Sequence, residues 1–384
     1  MNKKKKIIRI ANDPGTIDNF CRGILKKLSE EYEVVIIASP GPQMKTIEER
    51  ENVRTVAIPI ERPISLWKDL VSFIRIIKTF KKEKPDIVHG VVSGKGSFLA
   101  MIAGWLLRVP IRIYTFTGNG GLSKTGILGF VLKTTSRISC FCATHLIAEG
   151  LGVKTDLETS KITKKELRIL GNGNIRGIDA DYYKRTDEVI AEAEKIKHDI
   201  GGQFVFSFVG RIVADKGINE LVNAFSRLNK IDTGTRLLLI GGYDYGFNPV
   251  LDQTRKEIDS NPSIFAVGIQ SDVRPYLVAS NCFILPSYRE GVPNSVLEAG
   301  AMGVPSIVTD INGSREIIHN GETGLIIPSK DENALYDAML FMNTHTTEVE
   351  KMAAISRESV LSRYEQKYVH QCLLDYYKEI ISKN

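Results

Sequence analysis

Glu290 and Glu298 bracket the stretch "EGVPNSVLE". The residues before it, "CFILPSYRE", form an apolar run entering a polar loop. Pro293 suits the first turn of a following helix, and Gly303 and Pro305 end that helix. This places Glu290 in a loop at the carboxyl end of a strand and Glu298 about one and a half turns into the helix. The helix start between them is an anion site, because its first N–H groups lack partners inside the helix and the helix dipole is positive there. Carboxylates accept hydrogen bonds from sugar hydroxyls. Hydroxyls at both ends of a ligand and phosphate in its middle would suit the corner, which describes a nucleotide sugar. Taken alone, two glutamates at this spacing are also what a loop charge and a solvated helix residue give.

A second cluster narrows the choice. "FSFVGRIVADKGINELVNAF" is a strand ending at Gly210 and Arg211, a short loop, and a helix starting near Lys216 and Gly217. Arginine offers a bidentate fork to phosphate and lysine a mobile point charge, so the two together suit a departing diphosphate. Lys216 also has Asp215 and Glu220 close by in sequence as alternative partners.

These residues need a scaffold, and the chain's rhythm supplies one. Apolar runs such as "KIIRIA", "EVVIIAS", "DIVHGVV" and "IRIYTFT" alternate with helical stretches of ten or more residues. The pattern restarts after "GNGNIRGIDADYYKRTD" with "FVFSFVG", "RLLLIGG", "IFAVG", "CFILPS" and "PSIVTD". Short buried strands alternating with helices imply parallel sheets covered on both faces. The fold class expected is therefore α/β, with two doubly wound Rossmann-like domains facing each other across a cleft. The boundaries are 1–177, 178–365 and a terminal helix at 366–384, and 384 residues accommodate two domains. Ligands of such sheets bind beyond the carboxyl ends of the strands.

Composition excludes several classes. With 43% hydrophobic and 25% charged residues, the chain has material for a full core. The longest apolar run, Phe98 to Leu107, is about half a membrane span. Five cysteines without paired spacing fit reduced thiols and a cytoplasmic location. Residues 1–175 carry 29 basic against 16 acidic side chains, and the remainder 22 against 29. The basic half suits an anionic lipid surface or a phosphorylated acceptor. No nucleic-acid motif is present, so nucleic acid is not an expected partner.

The motifs "GRIVADKG", "SYREGVPNSVLEAGAMGVPSIVTD" and "GETGLIIP" resemble the retaining glycosyltransferases of family 4, which have the GT-B fold. "ERPISLWKDL", "KPDIVHGVVSGKGSFLAMIAG" and "GNGNIRGID" are similar to members that build capsule and O-antigen repeat units. The resemblance implies a sugar transferred from a nucleotide diphosphate, most simply a UDP-sugar, to a hydroxyl of a lipid-linked saccharide at the inner face of the cytoplasmic membrane. It implies no metal or other cofactor. By the same resemblance, Arg211 and Lys216 hold the diphosphate, Glu298 the nucleotide ribose and Glu290 the donor sugar. The backbone of Gly210 and of Gly291, Val292, Pro293, Asn294 and Ser295 lines the donor site. The loop at Gly15 closes on the phosphates, and the last helix packs back on the first domain.

The first half departs from the family pattern. Val91 stands where many members have a second histidine, and Thr117 where many have histidine or arginine. His89 at a strand end, Lys95 in "SGKGS" and Thr117 are the candidate acceptor or phosphate contacts. "GNGGLSKT", Gly118 to Thr125, misses the second glycine of a phosphate-binding loop. "GNGNIRG" is one residue too long for a dinucleotide fingerprint. Asp179 and Asp181 form a D-x-D in the interdomain stretch and read as structural. The alternatives are a sugar-nucleotide epimerase of similar fold and a non-catalytic nucleotide-sugar-binding protein.

Overall fold

The computed structural model describes residues 4–61, 63–118, 125–244, 246 and 248–383. The chain divides into two compact units, Met1–Gly177 with Lys367–Asn384, and Ile178–Gln366.

The strands of unit 1 are β1 (Lys6–Ile10), β2 (Glu33–Ala38), β3 (Arg54–Ala57), β4 (Ile87–Gly90), β5 (Ile111–Phe116), β6 (His145–Ala148) and β7 (Leu167–Arg168). They form one sheet in the order β3-β2-β1-β4-β5-β6-β7, and every pairing is parallel. The chain winds outward from β1, returns, and winds the other way from β4. Helices therefore cover both faces, and successive strand residues must both be apolar. Ile7 and Ile8 are each fully buried, on opposite faces: Ile8 packs with Phe80 and Met101, and Ile7 with Ile36 and Ile380. The second layer is completed by Leu373, Tyr376 and Tyr377 of the helix Gln366–Ser382.

Unit 2 repeats the plan with β8 (Phe204–Val209), β9 (Thr235–Ile240), β10 (Ile264–Gly268), β11 (Cys282–Leu285), β12 (Ser306–Thr309) and β13 (Gly324–Ile327). The order is β10-β9-β8-β11-β12-β13, again all parallel. Leu221, Val222, Phe225 and Leu228 form one buried stripe of the helix Ile218–Ile231, packed in the same core as Phe206, Phe208 and Phe283 of the strands. In both units the sheet reverses direction between its first and fourth strands, the position where doubly wound sheets open a crevice. Among the described residues no helix is long and apolar enough to cross a membrane.

One ion-pair cluster ties the edge of unit 1 together. Glu83, 7% exposed at the end of the helix Leu66–Glu83, accepts from Lys6 at 2.9 Å and from both Arg54 amino groups at 2.8 and 2.6 Å. The Arg54 guanidinium, and after it Lys6, hold the Glu83 carboxyl down to about 2 from 4.5, against the opposing effect of burial. A carboxyl depressed on folding adds stability above its unfolded value that is lost as pH falls toward the folded one. Glu83→Gln is expected to lower the unfolding free energy by about 2 kcal/mol at pH 7, allowing for the half-exposed Arg54. Urea titrations should show the difference from wild type shrinking between pH 4.5 and about 2. A pH-independent difference would rule out the ion pairs as its source.

Candidate active site

In unit 2, β8 and β11 are neighbours although 72 or more residues of chain separate them, with Cys282 beside Phe206 and Phe283 beside Ser207. The loop after β8 passes Gly210 and Arg211, makes a single helical turn at Ala214–Lys216 and enters the helix Ile218–Ile231 through Gly217. Gly217 has φ +72°, and a Cβ there would stand 2.1 Å from the Pro286 carbonyl oxygen. Only glycine lets the β8 loop lie directly on the β11 loop.

That contact aligns two charged dipeptides, Asp215-Lys216 on one loop and Arg289-Glu290 on the other. Lys216 Nζ donates to Glu290 Oε1. Arg289 Nη2 donates to Asp215 Oδ2 at 2.6 Å. The pairs cross, so each loop carries one partner of either sign. The Asn248 side-chain amide donates to the second Asp215 oxygen. The Tyr288 amide donates to the Asp215 carbonyl at 2.9 Å, and its hydroxyl to Glu220 Oε1 at 2.6 Å. Burial raises the Tyr288 hydroxyl well above its ordinary value, and the Glu220 carboxylate raises it further. Lys330 Nζ lies 4.8 Å from the centre of the Tyr288 ring. Arg211 turns toward Asp244 at 2.9 Å and is about half exposed.

The β11 loop ends at Pro293, and the helix Asn294–Ala301 begins there. Gly291, Asn294 and Ser295 are partly exposed, whereas Val292 and Pro293 are buried. Glu298 is only 8% exposed, so it is not a solvated helix residue. The loop after β12 presses on this corner: a Cβ at Gly313, φ +74°, would meet the Gly291 carbonyl oxygen at 1.6 Å. The structure thus brings Gly210, Lys216, Glu290 and Gly291–Ser295 together at the carboxyl edge of β8 and β11. Arg211 borders them. Among the described residues no group of three or more His, Cys, Asp and Glu could hold a metal ion.

The candidates of unit 1 are more dispersed in role. Gly15 is the second residue of the helix Pro14–Cys21, capped by Asp13, which accepts from the Thr16 amide at 2.9 Å. The loop after β1 is joined to the start of the helix Lys95–Leu106, where Asn12 Oδ1 accepts from the Gly96 amide at 2.7 Å. Lys95 donates to Asp69 Oδ1 at 2.7 Å and to the Pro63 carbonyl at 2.5 Å. Thr117 exchanges hydrogen bonds with Ser93, at 3.3 Å through its hydroxyl and 3.2 Å through its amide. His89 corrects the expectation of a strand-end contact. It is buried beneath the helix Gln366–Ser382, with Nδ1 2.6 Å from the Tyr377 hydroxyl and Nε2 2.8 Å from Thr115 Oγ1. Strand alternation turns its side chain into the core rather than toward the loops. Residues 119–124 of the "GNGGLSKT" stretch lie outside the described residues. Asp179 Oδ1 accepts from the amides of Asp181 and Tyr182, which makes the D-x-D a local turn.

From the sequence Asp215 was named only as an alternative partner of Lys216, which pairs with Glu290 instead, and Arg289 was not singled out. The signal was present: an acid–base dipeptide on one strand-end loop and a base–acid dipeptide on another. Gly313 was also missed, though its Asn-Gly turn marks a tight corner.

Two parallel doubly wound units with a charged, glycine-lined corner at the reversal of the second sheet define the GT-B class. The comparisons with known proteins go further. Residues 203–344 match the family model "Glycosyl transferases group 1", and residues 17–148 match "Glycosyl transferase 4-like". The chain belongs to these glycosyltransferases. It is 29% identical to the capsular polysaccharide biosynthesis glycosyltransferase CapM of Staphylococcus aureus, over all of this chain and 99% of that one. It is 27% identical to the UDP-Gal:alpha-D-GlcNAc-diphosphoundecaprenol alpha-1,3-galactosyltransferase of Escherichia coli, over 81% of this chain and 80% of that one. Among solved structures, Anabaena HepE in complex with UDP and glucose superposes with a TM-score of 0.81 at 16% identity, covering 98% of this chain and all of that one.

The Gly217 contact yields a direct test of the corner. Gly217→Ala must shift the Pro286 backbone or abandon its left-handed conformation, and should destabilise the protein by at least about 2 kcal/mol. Thermal unfolding that leaves the midpoint within a degree of wild type would show that the two loops do not meet as described.

Proposed function

We propose that this glycosyltransferase moves a sugar from a UDP-linked donor to a hydroxyl of a lipid-linked saccharide during cell-surface polysaccharide synthesis, with the anomeric configuration retained. The carrying observation is the pair of crossed ion pairs at the β8–β11 reversal. They place Lys216 and Glu290 in contact beside a helix start, with Arg211 at the margin. Arg211 and Lys216 bind the diphosphate, Glu290 engages the donor sugar and Glu298 the ribose hydroxyls. The backbone of Gly291–Ser295 receives the phosphate next to the sugar. Glu290 neutralises Lys216. An arriving diphosphate carries more charge than one carboxylate and draws the ammonium to itself, which frees Glu290 for a sugar hydroxyl.

The bond from the anomeric carbon to the phosphate oxygen breaks, and the acceptor oxygen bonds to that carbon on the same face. The acceptor proton passes to the departing phosphate oxygen. Charge accumulates on the leaving diphosphate, so preorganised cations and helix N–H groups supply the main stabilisation and no side-chain base is required. The capsular and undecaprenol-linked relatives are transferases and support this reading over an epimerase or a non-catalytic binder.

Thermal unfolding against UDP, GDP, ADP and their common sugar conjugates tests the donor. At 100 times its dissociation constant the matching nucleotide should raise the midpoint by several degrees. Arg211→Lys, which loses the fork, should lower kcat/KM about 10²-fold. No shift with any nucleotide, or unchanged kinetics in the variant, would refute the assignment.

For the acceptor side, we propose that unit 1 touches an anionic membrane. The helix Leu66–Glu83 exposes Leu66, Trp67, Leu70 and Ile74, and the helix Gly126–Cys142 exposes Ile127 and Phe130. Each helix lies between parallel strands and so starts at the carboxyl edge of the sheet. Exposed Lys68, Arg75 and Lys78 add positive charge to the first of them. Wild type should float with vesicles containing anionic lipid, and Trp67→Glu should reduce the floated fraction several-fold. Equal flotation with neutral vesicles would remove the electrostatic part of this reading.

A further inference from the structure

Arg9 lies in the middle of β1, in register with Ile36 of β2 on one side and His89 of β4 on the other. It is 2% exposed, and its Nε and Nη1 atoms meet no hydrogen-bond acceptor. Among the described residues it forms no ion pair. The guanidinium borders a cavity of about 10 Å³ together with His89, Thr115, Asn174, Val369 and Leu373. That volume admits one guest the size of a water molecule. The lining contains no acidic residue.

Every polar neighbour is neutral or already engaged. His89 is held by Tyr377 and Thr115, and burial first, then the charge of Arg9, keeps its ring neutral. Asn174 Oδ1 accepts from the amides of Arg176 at 2.9 Å and Gly177 at 2.6 Å. On the helix Gln366–Ser382, burial and the nearby Lys27 and Arg9 push His370 down to about 3, so it too is uncharged. Arginine cannot shed its proton to escape burial, and an unpaired buried charge is strongly destabilising. A water molecule would satisfy a donor but leave the charge uncompensated. A carboxylate or phosphate would bring further charged oxygens, for which the lining offers no second cation.

We infer that this cavity is a binding site for one small monatomic anion, with chloride as the physiological occupant, held by the Nε–H and Nη1–H groups of Arg9. The anion favours the His89 tautomer in which Tyr377 donates to Nδ1 and Nε2–H donates to Thr115. The Thr115 hydroxyl then keeps its own proton for the guest. Because Val369 and Leu373 line the cavity, occupancy secures the helix Gln366–Ser382 on its sheet.

The experiment uses the full chain in two parts. Unfolding midpoints are compared in sodium chloride and sodium gluconate at equal ionic strength, for wild type and for Arg9→Met, which keeps the length but not the charge. Chloride at ten times its dissociation constant should raise the wild-type midpoint by about 2–4 °C and leave Arg9→Met unmoved. Crystals of wild type grown in bromide should show an anomalous peak within hydrogen-bond reach of Arg9. Water density there without an anomalous signal overturns the assignment, as does a chloride effect that survives in Arg9→Met. If the variant does not fold, the bromide data on wild type decide alone.

Discussion

The corner of unit 2 depends on a balance of charge across two strand ends. Lys216 and Glu290 are 74 residues apart, yet the winding of the sheet makes their strands adjacent. Four charged side chains cluster there, and the crossed arrangement brings opposite signs into contact and leaves the cluster nearly neutral. Neutrality permits partial burial without a large desolvation cost. It would also make the corner responsive to the proposed diphosphate, which would compete for the cations and release the carboxylates. A lysine without a partner would bind phosphate too, but would leave Glu290 no reason to wait in position.

Glycine makes this balance geometrically possible. At Gly217 and Gly313 the space that a side chain would fill holds another loop's carbonyl oxygen. The three loops after β8, β11 and β12 are therefore stacked on one another rather than merely close. A ligand contacting the backbone at Gly291–Ser295 meets a surface whose position is set by two buried contacts. Rigid backbone with mobile charged side chains is a useful division of labour, because positioning and charge response can be tuned separately.

Much of this was legible in the sequence, and the reasons differ by residue. Continuous apolar runs such as "FVFSFV" state that both sheet faces are covered, which fixes a doubly wound α/β plan. Arg211, Lys216 and Glu290 stand out as charges in loops at strand ends, and Glu298 as a carboxylate in the helix that follows. His89 misled because strand-end position does not reveal which face a side chain takes. Its partner Tyr377 lies 288 residues away, and nothing local predicts that pairing. Arg9 lies inside the apolar run "KIIRIA", and nothing local in that run marks it as a buried strand residue. Lys95 read as a candidate acceptor or phosphate contact, but Asp69, 26 positions earlier, already holds it. Long-range pairing hid His89 and Lys95, whereas periodicity revealed the scaffold.

The discontinuity of unit 1 has a consequence for how the protein is made. Its second apolar layer is finished by Leu373, Tyr376, Tyr377 and Ile380, which are synthesised after the whole of unit 2. Residues 178–366 must be synthesised in between, taking roughly 10–40 s at ordinary elongation rates. For that interval Ile7, Ile36 and Ile113 lack their final cover, and the first unit waits on the nascent chain with an apolar face open. Unit 2 is contiguous and has no such wait. Biosynthesis thus reverses the usual order of these two units, since unit 1 is begun before unit 2 and completed after it.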